Sequence, residues 1–420
     1  MEKVRYVAKT MQGLEPVLAE ELRQLGAENV EEKNRVVFFD GDKRMMYRAN
    51  FCLRTALRIL KPLATFQAES VNELYANALA YDWSEVMDLS KRFSIDSVVN
   101  SETFSHSRYA ALKVKDAIVD QFRNRCGKRP FVDPDRPHVR IHLHIWETTC
   151  SLLLDSSGQS LHMRGYRRQQ DVAPLNEVLA AGMVLTSGWR GECPFLDPMC
   201  GSGTLAIEAA LIARGMAPGL FRQHYGFEDW PDFDPDLLEE VYNDDSMERE
   251  CEVPIMGSDV SGKAMEVAQQ NVKAAGLTKL IHLEKQSVFD LMPGMIPGVV
   301  ITNPPYGERL KQFQLDSFYS QLGDVFKARY PGWDVWMLTG NRVAMKSFGL
   351  HPSKTTTLFN GPLECKYQRF SMYKGSLRDL EDEEPARDAR PPREELGDQE
   401  QRFDDLPFSP PHAEDSIDSN

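Results

Sequence analysis

Three short segments carry residues whose types and spacing could do chemistry. The most specific, Val299 to Leu310, reads VVITNPPYGERL. An apolar run ends there in Asn303-Pro304-Pro305-Tyr306. The two prolines fix the turn and remove two backbone donors, leaving the Pro304 carbonyl as a free acceptor. Asn303 adds a side-chain acceptor. Two convergent acceptors beside an aromatic ring suit a planar NH2 group. They take its two N–H protons and turn the nitrogen lone pair toward an electrophile, while Tyr306 can stack on the base that carries it. The bland alternative is a rigid Pro-Pro turn with a capping Asn.

The second segment, Phe195 to Ala213, reads FLDPMCGSGTLAIEAALIA. An apolar stretch ends at Asp197, a turn containing Gly201 and Gly203 follows, and a helix is expected from Thr204. This is a strand–turn–helix unit of nucleotide-binding type. It lacks GxxxxGK[ST] and a third spaced glycine, so it is neither common phosphate loop. In the third segment, IMGSDVSGKAMEVAQQN, Asp259 closes a strand ahead of a helix. A carboxylate there can accept hydrogen bonds from ribose hydroxyls. Asp259 and Ser261 are also good capping types, which is the competing structural explanation.

These segments need a scaffold that brings strand ends together. From Pro174 to about residue 375 strands alternate with helices, the pattern of a parallel, doubly wound sheet. The first 160 residues read instead as α+β. Leu14, Leu18, Leu22 and Leu25 have helical spacing, with Gly26 as a stop. Arg35–Asp40 reads as a strand. A helix over Tyr109–Arg125 is expected to turn Leu112, Ile118, Val119 and Phe122 inward and Lys113, Lys115, Arg123 and Arg125 outward. Those charges could track phosphates or form a solvated face. Val139 to Trp146 alternates as a strand, with Arg140, His142 and His144 on its polar face. His138, His142 and His144 lack a nearby cysteine, and no metal site is expected from them. A basic connector, His162 to Asp171, carries Arg164, Arg167 and Arg168.

The chain has 420 residues, 42% hydrophobic and 27% charged, which suggests two or three folded domains. No apolar run approaches the ~20 residues of a membrane span, and the N-terminus has no secretory h-region. Seven cysteines without a CxxC pair fit a reducing, cytoplasmic setting. The net charge of −14 is concentrated. Residues 376–420 hold 15 acidic and 5 basic side chains, and 228–252 hold 12 acidic side chains with Arg249 as the one base. The rest is net +7, compatible with a nucleic-acid partner. The Pro-rich, acidic stretch 376–420 is expected to be a disordered tail.

DPMCGSGTLAIEAALIA, SDVSGKAMEVAQQN and TNPPYGERL resemble motifs I, II and IV of class I S-adenosylmethionine-dependent amino-methyltransferases. More closely, residues 3–375 resemble the bacterial 23S rRNA guanine-N2-methyltransferase family of the RlmL type. RRQQDVAPLNEVLAAGMVLTSGW and the segment from Gly340 to Gly375 extend the likeness.

The resemblance implies an α/β fold. A Rossmann-like methyltransferase domain over 161–375 would follow a ferredoxin-like part over 1–45 and a THUMP RNA-binding domain over 46–160. It implies S-adenosyl-L-methionine as cofactor, RNA as partner and no metal. The implied catalytic residues are Asn303, Pro304, Pro305 and Tyr306. The implied cofactor contacts are Asp197, Pro198, Cys200, Gly201, Gly203, Thr204, Asp259, Val260, Ser287 and Asn303. RNA contacts are expected from Lys113, Lys115, Arg123, Arg125, Arg167, Arg168 and Arg309. The family often has an acidic residue after the third strand; here Gln286 or Ser287 takes that place, with Asp290 beyond. Methylation of guanine N2 in tRNA, and a non-catalytic RNA-binding assembly factor, are the alternatives. DNA adenine and protein glutamine methylation share the Asn-Pro-Pro-Tyr logic, but the front end reads as RNA-binding.

Overall fold

The computed structural model describes residues 3–167, 175–305 and 312–373. Arg168, Tyr306, Arg309 and the tail lie outside these residues. The chain divides into two compact units, Met1–Lys61 with Asp155–Lys374, and a second built on Pro62–Leu154.

The front of the first unit is formed by β1 (Val4–Lys9), α1 (Glu15–Gln24), β2 (Glu28–Lys33), β3 (Val36–Gly41), α2 (Lys43–Cys52) and the start of β4 (Arg58–Gln67). Its strand order is β2-β3-β1-β4. Helix α1 buries Leu18, Ala19 and Leu22, as its periodicity dictates. Asp42 caps α2 by accepting from the Met45 amide at 2.9 Å. This βαββαβ unit closes only when β4 pairs with β1 (Val7 opposite Leu60). The boundary expected at 45/46 falls inside α2, and the fold moves it to 61/62.

The second unit contains α3 (Val71–Ala80), β5 (Arg92–Asn100), α4 (Ser107–Cys126), β6 (Phe131–Val132), β7 (Val139–Trp146) and β8 (Thr149–Asp155). Its strands run β8-β7-β5-β6. Val139, Ile141, Leu143 and Ile145 of β7 are buried; so is His142, which had been assigned to the polar face. In α4 the buried set is Ala110, Val114, Ala117, Ile118, Val119, Gln121 and Phe122. Leu112, expected inward, is 46% exposed. It sits two residues before Val114, about 200° around the helix.

The remainder of the first unit runs α5 (Glu177–Ser187), β9 (Phe195–Asp197), α6 (Thr204–Ala213), α7 (Pro235–Tyr242), β10 (Ile255–Asp259), α8 (Gly262–Ala274), β11 (Ile281–Lys285), β12 (Val299–Thr302), α9 (Gln312–Arg329), β13 (Asp334–Thr339), α10 (Arg342–Lys346), β14 (Lys354–Asn360) and β15 (Leu363–Ser371). The strand order is β11-β10-β9-β12-β13-β15-β14. The first five strands are mutually parallel, and the closing β14–β15 hairpin adds β15 antiparallel to β13. Phe195, Ile301 and Leu338 pack with α5 and α6, while Leu196, Val300 and Met337 pack with α9. Both faces are covered, which is why these strands read as continuous apolar runs. Strand order reverses at β9, between β10 and β12, and ligands of such sheets bind at the carboxyl ends of the strands there.

The acidic segment 228–252, which the sequence left unexplained, brackets α2. Tyr47 stacks on Phe227 with centroids 4.1 Å apart and receives the Asp234 amide at 3.0 Å. Lys43 pairs with Asp232 at 3.3 Å, and Arg44 pairs with Glu240. At its far end Arg249 donates to the carbonyls of Ala213 (2.7 Å) and Ile212 (3.0 Å), closing the C-terminus of α6.

Arg222 holds the connector beyond β8. It donates to the carbonyls of Ser160 (3.1 Å), Met163 (2.9 Å), Ser157 (3.2 Å) and Gln159 (2.9 Å). Arg222→Ala would orphan several of these acceptors, and we expect it to lower unfolding stability by about 2–4 kcal/mol, read as a fall in the denaturation midpoint. An unchanged midpoint would mean that water replaces the guanidinium at no cost.

Candidate active site

Three strand ends meet at the reversal in strand order. Asp197 closes β9, Asp259 closes β10 and Thr302 closes β12. Thr302 Oγ1 donates to Asp197 Oδ1 at 2.9 Å, and the Met199 amide adds a longer bond at 3.3 Å. The turn after β9 is tied to β10 by the Cys200 amide, which donates to the Ser258 carbonyl at 2.9 Å. The Gly201 amide donates to Asp259 Oδ2 at 3.0 Å, and the Ser261 amide to Asp259 Oδ1 at 2.8 Å. The structure therefore gathers Asp197, Pro198, Cys200, Gly201 and Asp259 at one edge, with Gly203 and Thr204 opening α6.

Gly201 has φ +53°, and a Cβ built there would meet nothing within 4 Å among the described residues. The backbone faces open space, the condition for a ligand to lie directly against it. Val260, next to Asp259, is 70% exposed and offers an apolar surface at the same edge. Ser287 follows β11, and its hydroxyl accepts from the Phe289 amide at 3.2 Å, shaping the turn there.

Two buried groups have shifted acidities. Burial pushes the Asp197 carboxyl up to about 7, against the smaller lowering effects of Thr302 and the Met199 amide. Burial also raises the Cys200 thiol well above its ordinary value, helped by Asp197 and Asp259. Cys200 is thus a protonated packing residue rather than a nucleophile.

Asn303 follows Thr302 directly. Its Oδ1 is buried and has no hydrogen-bond partner among the described residues. Tyr319 of α9 reaches the Pro305 carbonyl at 3.4 Å and Thr339 Oγ1 at 3.0 Å, bracing the Pro-Pro turn. Tyr306, Arg168 and Arg309 fall outside the described residues.

Arg167, expected to meet RNA, is placed elsewhere. Its side chain is 10% exposed and is engaged with Glu177, Ser202, Thr204 and the Leu175 carbonyl. On α4, Lys115 pairs with Asp116 at 2.5 Å, Arg123 with Asp120 at 2.9 Å and Arg125 with Asp82 at 2.5 Å. Lys113 lies 5.4 Å over the Tyr109 ring. Sequence reasoning missed Thr302, Tyr319, Ser202 and Glu177. Thr302 could have been found as the polar residue closing an apolar strand; the others carry no local signal.

Comparison with known proteins adds the family context. A model described as an RMKL-like methyltransferase domain matches residues 164–369. An RlmL ferredoxin-like domain matches 5–60, and a THUMP domain matches 68–155. A Synechocystis protein provisionally named as an RNA methyltransferase is 39% identical over 371 residues, covering 88% of this chain and 97% of that one. The ribosomal RNA large subunit methyltransferase K/L of Syntrophotalea carbinolica is 40% identical over 383 residues, covering 88% of this chain and 54% of its own. The chain thus spans about half the length of the K/L relatives it matches. A crystal structure of SMU.472, provisionally named a methyltransferase and solved with S-adenosylhomocysteine, superposes with a TM-score of 0.80 at 30% identity, covering 90% of this chain and 100% of that one.

The lowered acidity of Asp197 has a thermodynamic consequence. A carboxyl that is harder to ionise when folded destabilises the fold as pH rises from its ordinary value of 3.8 to about 7, and the cost is complete above that. Asp197→Asn removes it. The variant should be more stable than the parent at pH 8 by about 1–3 kcal/mol, a difference that shrinks as pH falls toward 4. Paired denaturation curves across this range test it; a pH-independent difference would place the Asp197 carboxyl near its ordinary acidity.

Proposed function

The chain belongs to the RMKL-like methyltransferase family, and from that premise we propose that it transfers the methyl group of S-adenosylmethionine to the exocyclic N2 of a guanine in large-subunit rRNA. The observation that carries the acceptor chemistry is the Asn303 carboxamide oxygen, buried at the switch-point edge and without a partner among the described residues. A buried acceptor left unmade is costly, and an amino N–H is the group that would satisfy it.

The residues at the edge fit the cofactor. The open space beside Gly201 admits its methionine part, Asp259 can accept from the ribose hydroxyls, and Val260 can cover the adenine. Bound there, S-adenosylmethionine supplies an electrophilic methyl group on a sulfonium. Asn303 Oδ1 and the Pro304 carbonyl then hold the two N–H groups of the guanine amine, so that its lone pair is directed out of the ring plane. As the N–CH3 bond would form and the C–S bond break, with S-adenosylhomocysteine leaving as a neutral thioether, the nitrogen would become cationic, so that both N–H groups become stronger donors before one proton is lost to solvent. The two acceptors therefore bind the transition state better than the ground state, the condition for a rate effect. Tyr306 is assigned to stack on the base. To reach this edge the guanine must leave its stack, so single-stranded or flipped-out RNA is the proposed substrate. The THUMP match and the names of the K/L relatives support RNA, and rRNA in particular. Free rRNA and an assembling large subunit, encountered in the cytoplasm, are the proposed settings.

Purified protein with labelled S-adenosylmethionine should label N2-methylguanosine in rRNA, and not tRNA, DNA or protein. Label in N6-methyladenine of DNA, or in tRNA alone, would overturn the substrate. Asn303→Ala should lower kcat by about 10²-fold with little change in cofactor affinity, whereas Asp259→Ala should weaken cofactor binding by about 1.5–3 kcal/mol. A rise in KM alone for Asn303→Ala would reduce the residue to a binding or turn element.

Replacing Lys113, Lys115, Arg123 and Arg125 together by Ala should weaken RNA binding and flatten its dependence on salt, leaving cofactor affinity unchanged. An unaltered salt slope would mean that these charges, three of them already paired with Asp116, Asp120 and Asp82, form only a solvated face.

A further inference from the structure

The turn that opens α6 depends on two glycines, Gly201 at φ +53° and Gly203 at φ +80°. Glycine is conformationally permissive, so its neighbours must specify the turn's shape. The residues flanking Gly203 are Ser202 and Thr204, and both are held by one guanidinium. Arg167 Nη1 donates to Ser202 Oγ at 3.1 Å, and Nη2 donates to Thr204 Oγ1 at 3.0 Å. The same side chain reaches back to fixed structure. Its Nε donates to Glu177 Oε1 at 2.7 Å, in the first turn of α5, and Nη2 also donates to the Leu175 carbonyl at 3.0 Å. Glu177 is 4% exposed and the Arg167 side chain 10%, so this ion pair is enclosed and hydrogen-bonded at both ends.

We propose that Arg167 is a positioning residue that holds the Gly-rich turn in its cofactor-binding form by tying Ser202 and Thr204 to Glu177 and Leu175. This deepens the reading of the turn as the S-adenosylmethionine site and rests on it. The planar fork of arginine is what the task requires. Several donors at fixed angles meet acceptors on two sides of the side chain, which a single ammonium cannot do. Without the clamp the turn samples other glycine conformations. The apparent dissociation constant then rises by the inverse of the fraction that remains competent. Cofactor binding would restore the same bound state, so turnover at saturating cofactor is little affected. Arg167 is therefore assigned to cofactor affinity and not to RNA.

The test measures S-adenosylhomocysteine binding by calorimetry, together with melting temperature, on the full chain. Arg167→Lys, and separately Ser202→Ala, should each weaken binding, the first about tenfold or more and the second severalfold. The KM for S-adenosylmethionine should rise in step, with kcat at saturation within about threefold of the parent. The salt dependence of RNA binding should not move for Arg167→Lys. Tyr166→Phe is the control for general stability. It removes the 2.9 Å bond from Tyr166 to Glu208 in the same connector, without touching the turn, and should leave affinity unchanged. If Arg167→Lys fails to fold, Ser202→Ala decides, because it leaves the Arg167–Glu177 pair in place. Parental affinity in the folded variants, or equal weakening in Tyr166→Phe, would overturn the proposal while leaving the cofactor site standing. A parent protein that did not bind S-adenosylhomocysteine would overturn the cofactor reading itself, and this inference with it.

Discussion

The site depends on one constraint: three parallel strands must end together, with their terminal polar groups satisfied by one another. Asp197 is buried at the centre of that junction and accepts from Thr302, the last residue of the neighbouring strand. A buried carboxylate is costly unless bonded, so this contact fixes the relative height of β9 and β12. On the other side the Gly201 amide and Asp259 do the same for β9 and β10. Asn303 and the Gly-rich turn are brought into register by these two bonds. Side-chain packing on the two faces of the sheet makes the strands parallel and buried, but it does not by itself align their ends.

A second tier of polar contacts holds the front domain on the catalytic one. Glu21 of α1 accepts from the Arg54 and Thr55 amides, while Arg54 donates to the carbonyls of Leu211 (3.2 Å) and Met216 (2.7 Å) at the end of α6. Tyr166 meets Glu208 on α6 at 2.9 Å, and Arg164 bridges Glu208 and the Arg54 carbonyl. The helix that begins at the Gly-rich turn is thus gripped along its length by the βαββαβ module and the connector after it. Such buried pairs add little net stability compared with apolar packing, but breaking one partner leaves an uncompensated charge. They act mainly as a registration device for the body and C-terminal end of α6, where the front module meets it.

The sequence by itself determined the local chemistry. The turn at Asn303-Pro304-Pro305 after β12, the strand-end place of Asp259 and the Gly201/Gly203 turn were legible because backbone restriction, capping and strand-end placement are properties of adjacent residues. The alternation of β7 and the succession of strands and helices after Pro174 were legible for the same reason, since periodicity is local. Only the tertiary structure decided what distant residues do to one another. Arg167 looked like a phosphate contact because it stands in a basic stretch, and whether an arginine faces solvent or a buried glutamate ten residues away depends on how two helices dock. Leu112 looked inward by type, but the buried arc of α4 is set by the sheet it packs on. The acidic run 228–252 was opaque because its partners, Lys43, Arg44 and Tyr47, lie nearly two hundred residues earlier. Only folding brings those charges close enough for their pairing to outweigh mutual repulsion.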